Sequence, residues 1–189
     1  MRVVEISYDS CYPNKGARNL ICTINTMYFK GKQFMAKTNA LRIIETAKVP
    51  FSVREYDVSD GEVSGVAVAA KIGQESERVF KTLVTEGKKT GLNVFIIPSN
   101  VELDMRKAAL ATGDKYVELI KIRELEAKTG YVHGGCSPVG MKKQLPTFID
   151  ETAQLYDTIY VSGGRVGLQV ELSPNDLAKL TDAVFCDLF

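Results

Sequence analysis

The chain reads as an α+β protein: a mixed, mostly antiparallel β-sheet or barrel flanked by short helices. Three observations predict this. Segments with period-two alternation recur between segments that carry helix caps. Two strand-like segments, 78–85 and 92–97, flank a turn-rich stretch at 86–91 and read as a hairpin. Such hairpin signals outnumber clean strand-helix-strand units, which argues against an all-parallel sheet.

The elements follow in order. Before Met35 periodicity is poor, and turn formers gather in Tyr12-Pro13-Asn14-Lys15-Gly16. Residues 1–34 are therefore expected to be an extension, either a mobile tail or the product of a misplaced start codon, with the body at 35–189. An added hairpin from the strand-like runs at 3–6 and 20–24 is the alternative. Thr38 or Asn39 can cap a helix carrying Leu41, Ile44 and Ala47, which Pro50 stops. Residues 51–56 alternate as a strand, and 63–72 suit a helix ended by Gly73. After the hairpin comes a helix at 104–112 ended by Gly113, a strand at 115–119, and a polar helix at 121–128 closed by Gly130. Short strands are expected at 147–149, 158–161 and 167–172. Ser173-Pro174-Asn175-Asp176 opens a helix, with Ser as cap, Pro first and Asp third. A last strand covers 183–187.

With 189 residues, 45% hydrophobic and 25% charged, the chain fits one soluble domain with a sizeable core. No apolar run approaches the ~18 residues that span a bilayer, and the first 32 residues lack the apolar stretch of a secretion signal. Four cysteines without a CxxC pair, beside a single histidine, argue against a zinc site and suit a reducing cytoplasm. No metal and no cofactor is expected. Net charge is only +1, with a basic excess in residues 1–34, so a broad nucleic-acid-binding field is disfavoured. Lys88-Lys89, Arg106-Lys107 and Lys142-Lys143 read as solvated pairs.

Few residues can carry chemistry. Lys81 lies within Val79-Phe80-Lys81-Thr82-Leu83-Val84, an apolar strand in which an amine must find an anion, snorkel or lose charge. An edge-strand lysine that blocks aggregation is the alternative. Gly130 and Gly134-Gly135-Cys136-Ser137-Pro138-Val139-Gly140 can bring backbone N–H groups close to a ligand oxygen, but match neither phosphate-loop pattern. Ser162-Gly163-Gly164-Arg165 forms a further loop without a nucleophile elbow. His133 can be a base or plain surface, and Cys136, without an identifiable base, reads as an inert thiol.

Taken together, Phe80-Lys81-Thr82-Leu83-Val84, the 134–140 loop, Leu145-Pro146-Thr147 and Tyr160-Val161-Ser162-Gly163-Gly164 resemble the YbaK/EbsC family. Its members are freestanding aminoacyl-tRNA deacylases related to the editing domain of prolyl-tRNA synthetase. The resemblance runs from about Met35 to Phe189. It implies a trans-editing enzyme that removes cysteine from Cys-tRNA(Pro), with Cys-tRNA(Cys) as a further substrate, by attack of the substrate's own thiol. Lys81 would be the catalytic residue. Tyr56, Ser64, Gly134, Gly135, Ser137, Ser162, Gly163 and Gln169 would bind substrate. The aminoacyl-tRNA 3′ end is the implied partner, with a ternary complex including prolyl-tRNA synthetase. Ser64 and Gln169 stand where the family carries an aromatic residue and an aspartate, and His133 where it carries an apolar one. An alanine-removing enzyme and a non-catalytic tRNA-end module remain the alternatives.

Overall fold

A computed structural model of the chain describes Val4–Glu5 and residues 37–189. The expectations for the remainder of residues 1–34 lie outside the described residues. Val4–Glu5 (β1) pairs antiparallel with Phe51–Glu55 (β2). In chain order there follow Asn39–Thr46 (α1), β2, Gly65–Ile72 (α2), Phe80–Gly87 (β3), Gly91–Pro98 (β4), Met105–Thr112 (α3), Val117–Leu119 (β5) and Ile122–Thr129 (α4). The chain then runs through Thr147–Asp150 (β6), a short 3-10 helix at Glu151–Leu155, Ile159–Ser162 (β7), Leu168–Leu172 (β8), Pro174–Thr181 (α5) and Val184–Cys186 (β9).

Two sheets form, in the orders β1-β2-β8-β7 and β5-β3-β4-β6-β9. The first is antiparallel throughout. In the second, β3 runs antiparallel to both β4 and β5, while β4-β6 and β6-β9 are parallel. The mixed, mostly antiparallel architecture expected from the sequence is the one found. β4 shows why its apolar run is nearly continuous. Val94 and Ile96 face the main core between the sheets, with Phe51, Ile159 and Leu172, while Phe95 and Ile97 face α3 through Ala108 and Ala109. Both faces are covered, so alternation alone would understate the burial.

Local signals placed the helix ends. The Thr38 hydroxyl accepts from the Leu41 N–H at 3.2 Å, and Asp104 accepts from the N–H groups of Arg106 and Lys107. Gly73, Gly113 and Gly130 close α2, α3 and α4 in the left-handed conformation. Ser173 does precede α5, but its side chain makes no cap bond; Pro174 at the first position leaves one fewer N–H to satisfy. The hairpin turn is tighter than 86–91. The strands stay paired to Gly87 and Gly91 because the Asp114 carboxylate accepts from the Lys89 and Thr90 N–H groups at 2.8 and 2.9 Å. Glu151–Leu155, which carries no helical periodicity in sequence, is turned by Asp150, whose Oδ1 accepts from the Thr152 N–H at 2.9 Å. Among the described residues no helix is long and apolar enough to cross a membrane.

Candidate active site

A break in strand pairing makes the cavity. On the edge away from β4, Val79, the residue just before β3, meets β7 through an isolated bridge to Tyr160, where the Arg78 carbonyl accepts from the Tyr160 N–H at 2.9 Å. It meets β5 at Thr85, and the Ile120 N–H donates to the Val84 carbonyl at 3.1 Å. Among the described residues, no strand pairs with 80–83 on that edge. A cavity of about 380 Å³ opens there, within the range of small-ligand sites.

Lys81 is the second residue of β3 rather than its middle, and it is half-buried in the cavity wall. Its Nζ donates to the Ser99 carbonyl at 3.3 Å and forms no ion pair among the described residues. Burial pulls its ammonium below the ordinary 10.5, and the field of Glu102 opposes that shift. The opposite wall comes from the loop after α4. The Gly135 N–H donates to the Val132 carbonyl at 3.0 Å, so residues 132–135 close a turn with Gly134 at φ +76°. A Cβ on Gly135 would lie 2.9 Å from the backbone of Arg165 and Val166. Only a residue without a side chain lets this loop reach the 162–167 loop so closely.

The structure brings Lys81, Ser64, Gly134, Ser162 and Gln169 to one cavity. Ser64 also caps α2, accepting from the Ala67 N–H at 3.3 Å. Ser162 sits opposite Gln169 across β7 and β8 and accepts from the Gly164 N–H at 3.3 Å. Gly135, Ser137, Gly163 and Tyr56 stand behind the lining. The Ser137 hydroxyl braces the loop by accepting from the Val139 N–H, Gly163 donates to the Leu168 carbonyl, and Tyr56 packs with α2, Val79 and Tyr160.

Thr82 and Ser99 line the cavity too, and the sequence did not single them out. Ser99 was findable from the hairpin register, because Phe80 pairs with Pro98. Two polar atoms in the lining, Thr82 Oγ1 and Gln169 Oε1, are buried without a hydrogen-bond partner. Each such atom costs about 1–3 kcal/mol when left unpaired. Cys136 also faces the cavity, but burial pushes its thiol up to about 12, as expected for an inert thiol. No carboxylate lines the cavity among the described residues.

An amine, unsatisfied polar atoms and a close-set glycine loop around one cavity agree with the comparisons to known proteins. The family model for the aminoacyl-tRNA editing domain matches residues 62–180. An Enterococcus faecalis protein provisionally named Cys-tRNA(Pro)/Cys-tRNA(Cys) deacylase EbsC is 48% identical over 157 residues, covering 83% of this chain and 96% of its own. A solved structure described, provisionally, as a trans-editing enzyme for prolyl-tRNA synthetase is 27% identical. It superposes with a TM-score of 0.70 over 82% of this chain and 98% of its own. The hypothetical protein APE2540, 23% identical, shares the fold at a TM-score of 0.73 over 79% of this chain and 98% of its own. The chain belongs to the aminoacyl-tRNA editing domain family.

Proposed function

We propose that this protein is a trans-editing deacylase that removes cysteine from mischarged Cys-tRNA(Pro), and acts also on Cys-tRNA(Cys). One observation carries the reading: among the described residues the cavity is lined by an ammonium, Lys81, and by no carboxylate, while burial pushes its one thiol, Cys136, up to about 12. This supports a nucleophile that comes with the substrate. The cysteinyl thiol attacks its own ester carbonyl, the sulfur–carbon bond forms, and the carbon–oxygen bond to the terminal ribose breaks. The thiol proton ends on the departing ribose oxygen. Held in attack geometry, such an intramolecular step can gain roughly 7–11 kcal/mol. Lys81 and the backbone N–H of Gly134, which lines the cavity, stabilise the developing oxyanion. Ser64, Ser162 and Gln169 line the part of the cavity that takes the aminoacyl group. Water opens the released thiolactone to free cysteine.

The editing unit occupies 35–189, and residues 1–34 are an extension to it. With a net charge of only +1, the chain lacks the broad basic field that would hold tRNA alone, which supports a ternary complex with prolyl-tRNA synthetase and tRNA. Co-sedimentation of the three components at micromolar concentration checks this, and absence of a complex would refute it. The catalytic reading is tested by product analysis after incubation with Cys-tRNA(Pro). A cyclic thioester and its trapping by hydroxylamine are expected. Equal rates on alanyl and cysteinyl esters would exclude attack by the substrate thiol.

A further inference from the structure

The reaction above moves a proton from sulfur to ribose oxygen, and a side chain of the cavity can carry it. Its lining holds no carboxylate among the described residues, and burial pushes its Cys136 thiol up to about 12. The remaining ionisable groups are Lys81, whose positive charge the oxyanion needs, and His133, the one histidine of the chain. Imidazole both takes and returns a proton readily under neutral conditions.

The placement of His133 suits that task. It occupies the first corner of the 132–135 turn, ahead of left-handed Gly134. That turn is rigidly seated. Gly134 approaches the Val63 side chain, Gly135 lies against the backbone of Arg165 and Val166, and the Tyr131 hydroxyl donates to the Val139 carbonyl at 2.7 Å. The His133 side chain is exposed at the mouth of the cavity yet forms part of its lining, and no described residue hydrogen-bonds to it. Fixed backbone, uncommitted nitrogens and access to solvent are what a proton carrier requires.

We infer that His133 is a catalytic residue that shuttles the substrate's proton, an inference that rests on the deacylase reading. The thiol S–H bond breaks and its proton passes to an imidazole nitrogen as sulfur bonds to the carbonyl carbon. The bond from that carbon to the ribose oxygen breaks, and the imidazolium returns the proton to that oxygen. No further reactant is needed.

The test uses full-length protein and single-turnover deacylation of Cys-tRNA(Pro), with His133→Ala and His133→Gln. Both variants are expected to keep the wild-type melting temperature and a KM within twofold. Their kcat should fall by roughly 10²-fold, the scale of general acid–base catalysis, and added imidazole should restore activity to the alanine variant. Unchanged kcat, a rise in KM alone, or a loss that imidazole does not relieve would each overturn the inference while leaving the deacylase reading intact. A wild-type protein that fails to release cysteine from Cys-tRNA(Pro) would overturn both.

Discussion

In the proposed mechanism Lys81 serves activity at the expense of stability. Its ammonium is partly stripped of water and, among the described residues, has only the Ser99 carbonyl within hydrogen-bond reach, with Glu102 acting at a distance. The folded-state pKa lies below 10.5, so the unfolded chain binds this proton more tightly than the folded one. The charge therefore opposes folding below the folded-state pKa, and that opposition fades as pH rises to 10.5. Lys81→Met should raise the melting temperature at pH 7 while lowering kcat on Cys-tRNA(Pro) by roughly 10²–10³-fold, the loss typical of one oxyanion donor. Calorimetry and single-turnover kinetics check the pair of effects; a lower melting temperature would show that Lys81 is a structural contact. The wild-type pH profile should fall on its alkaline side before 10.5 is reached, as Lys81 loses its proton. Lys81 was legible in sequence because an amine between apolar strand neighbours is chemically out of place. Thr82 was not, since a threonine in a strand is ordinary; only the unsatisfied hydroxyl marks it.

Among the elements, the loop after α4 and the β3–β4 hairpin depend on contacts distant in sequence. Gly135→Ala would push a methyl group into the Arg165–Val166 backbone, which cannot swing away as a side chain could. A loss of about 1–3 kcal/mol and a drop in kcat/KM are expected from denaturant titration and kinetics, because the displaced turn carries one wall of the cavity. In the hairpin, Asp114 accepts from Thr90, Lys89 and Lys115 N–H groups, which holds its carboxyl down at about 2 against an ordinary 3.8. Its contribution is thus present above pH 3.8 and is lost as pH falls toward 2. Asp114→Asn should melt lower than wild type at pH 7, and the gap should close between pH 4 and pH 2. A gap that stays constant in acid would mean the carboxylate is not the group that matters. The turn formers Gly87 and Gly91 were readable, but the turn's true length was not, because the residue that tightens it comes from beyond α3.

For the molecule as a whole, the C-terminal strand completes the second sheet and is tied in by one buried carboxylate. Asp150 Oδ2 accepts from the Leu188 N–H at 3.0 Å, and Leu188 fills the core under α3. Asp150→Ala leaves that N–H buried and unpaired and removes the 3-10 cap, so a loss of about 1–3 kcal/mol is expected in urea titration. Activity per folded molecule should persist, since the cavity lies at the other edge of the sheet. Loss of activity in fully folded protein would show coupling between the two edges.

What the sequence determined by itself was local: where helices begin and end, which segments alternate, and which few residues have the chemistry for a site. Caps, glycines and alternation act over a handful of residues, so they are written where they act. The tertiary structure decided which strand edges meet and which are left open. The bridge from Val79 to Tyr160 and the pairing of Ser162 with Gln169 join residues some eighty apart or turn a loop back on itself. Alternation states which face a side chain takes but never names the partner strand. The gap beside 80–83, and with it the cavity that gathers Lys81, Gln169 and His133, arises only when the strands pair.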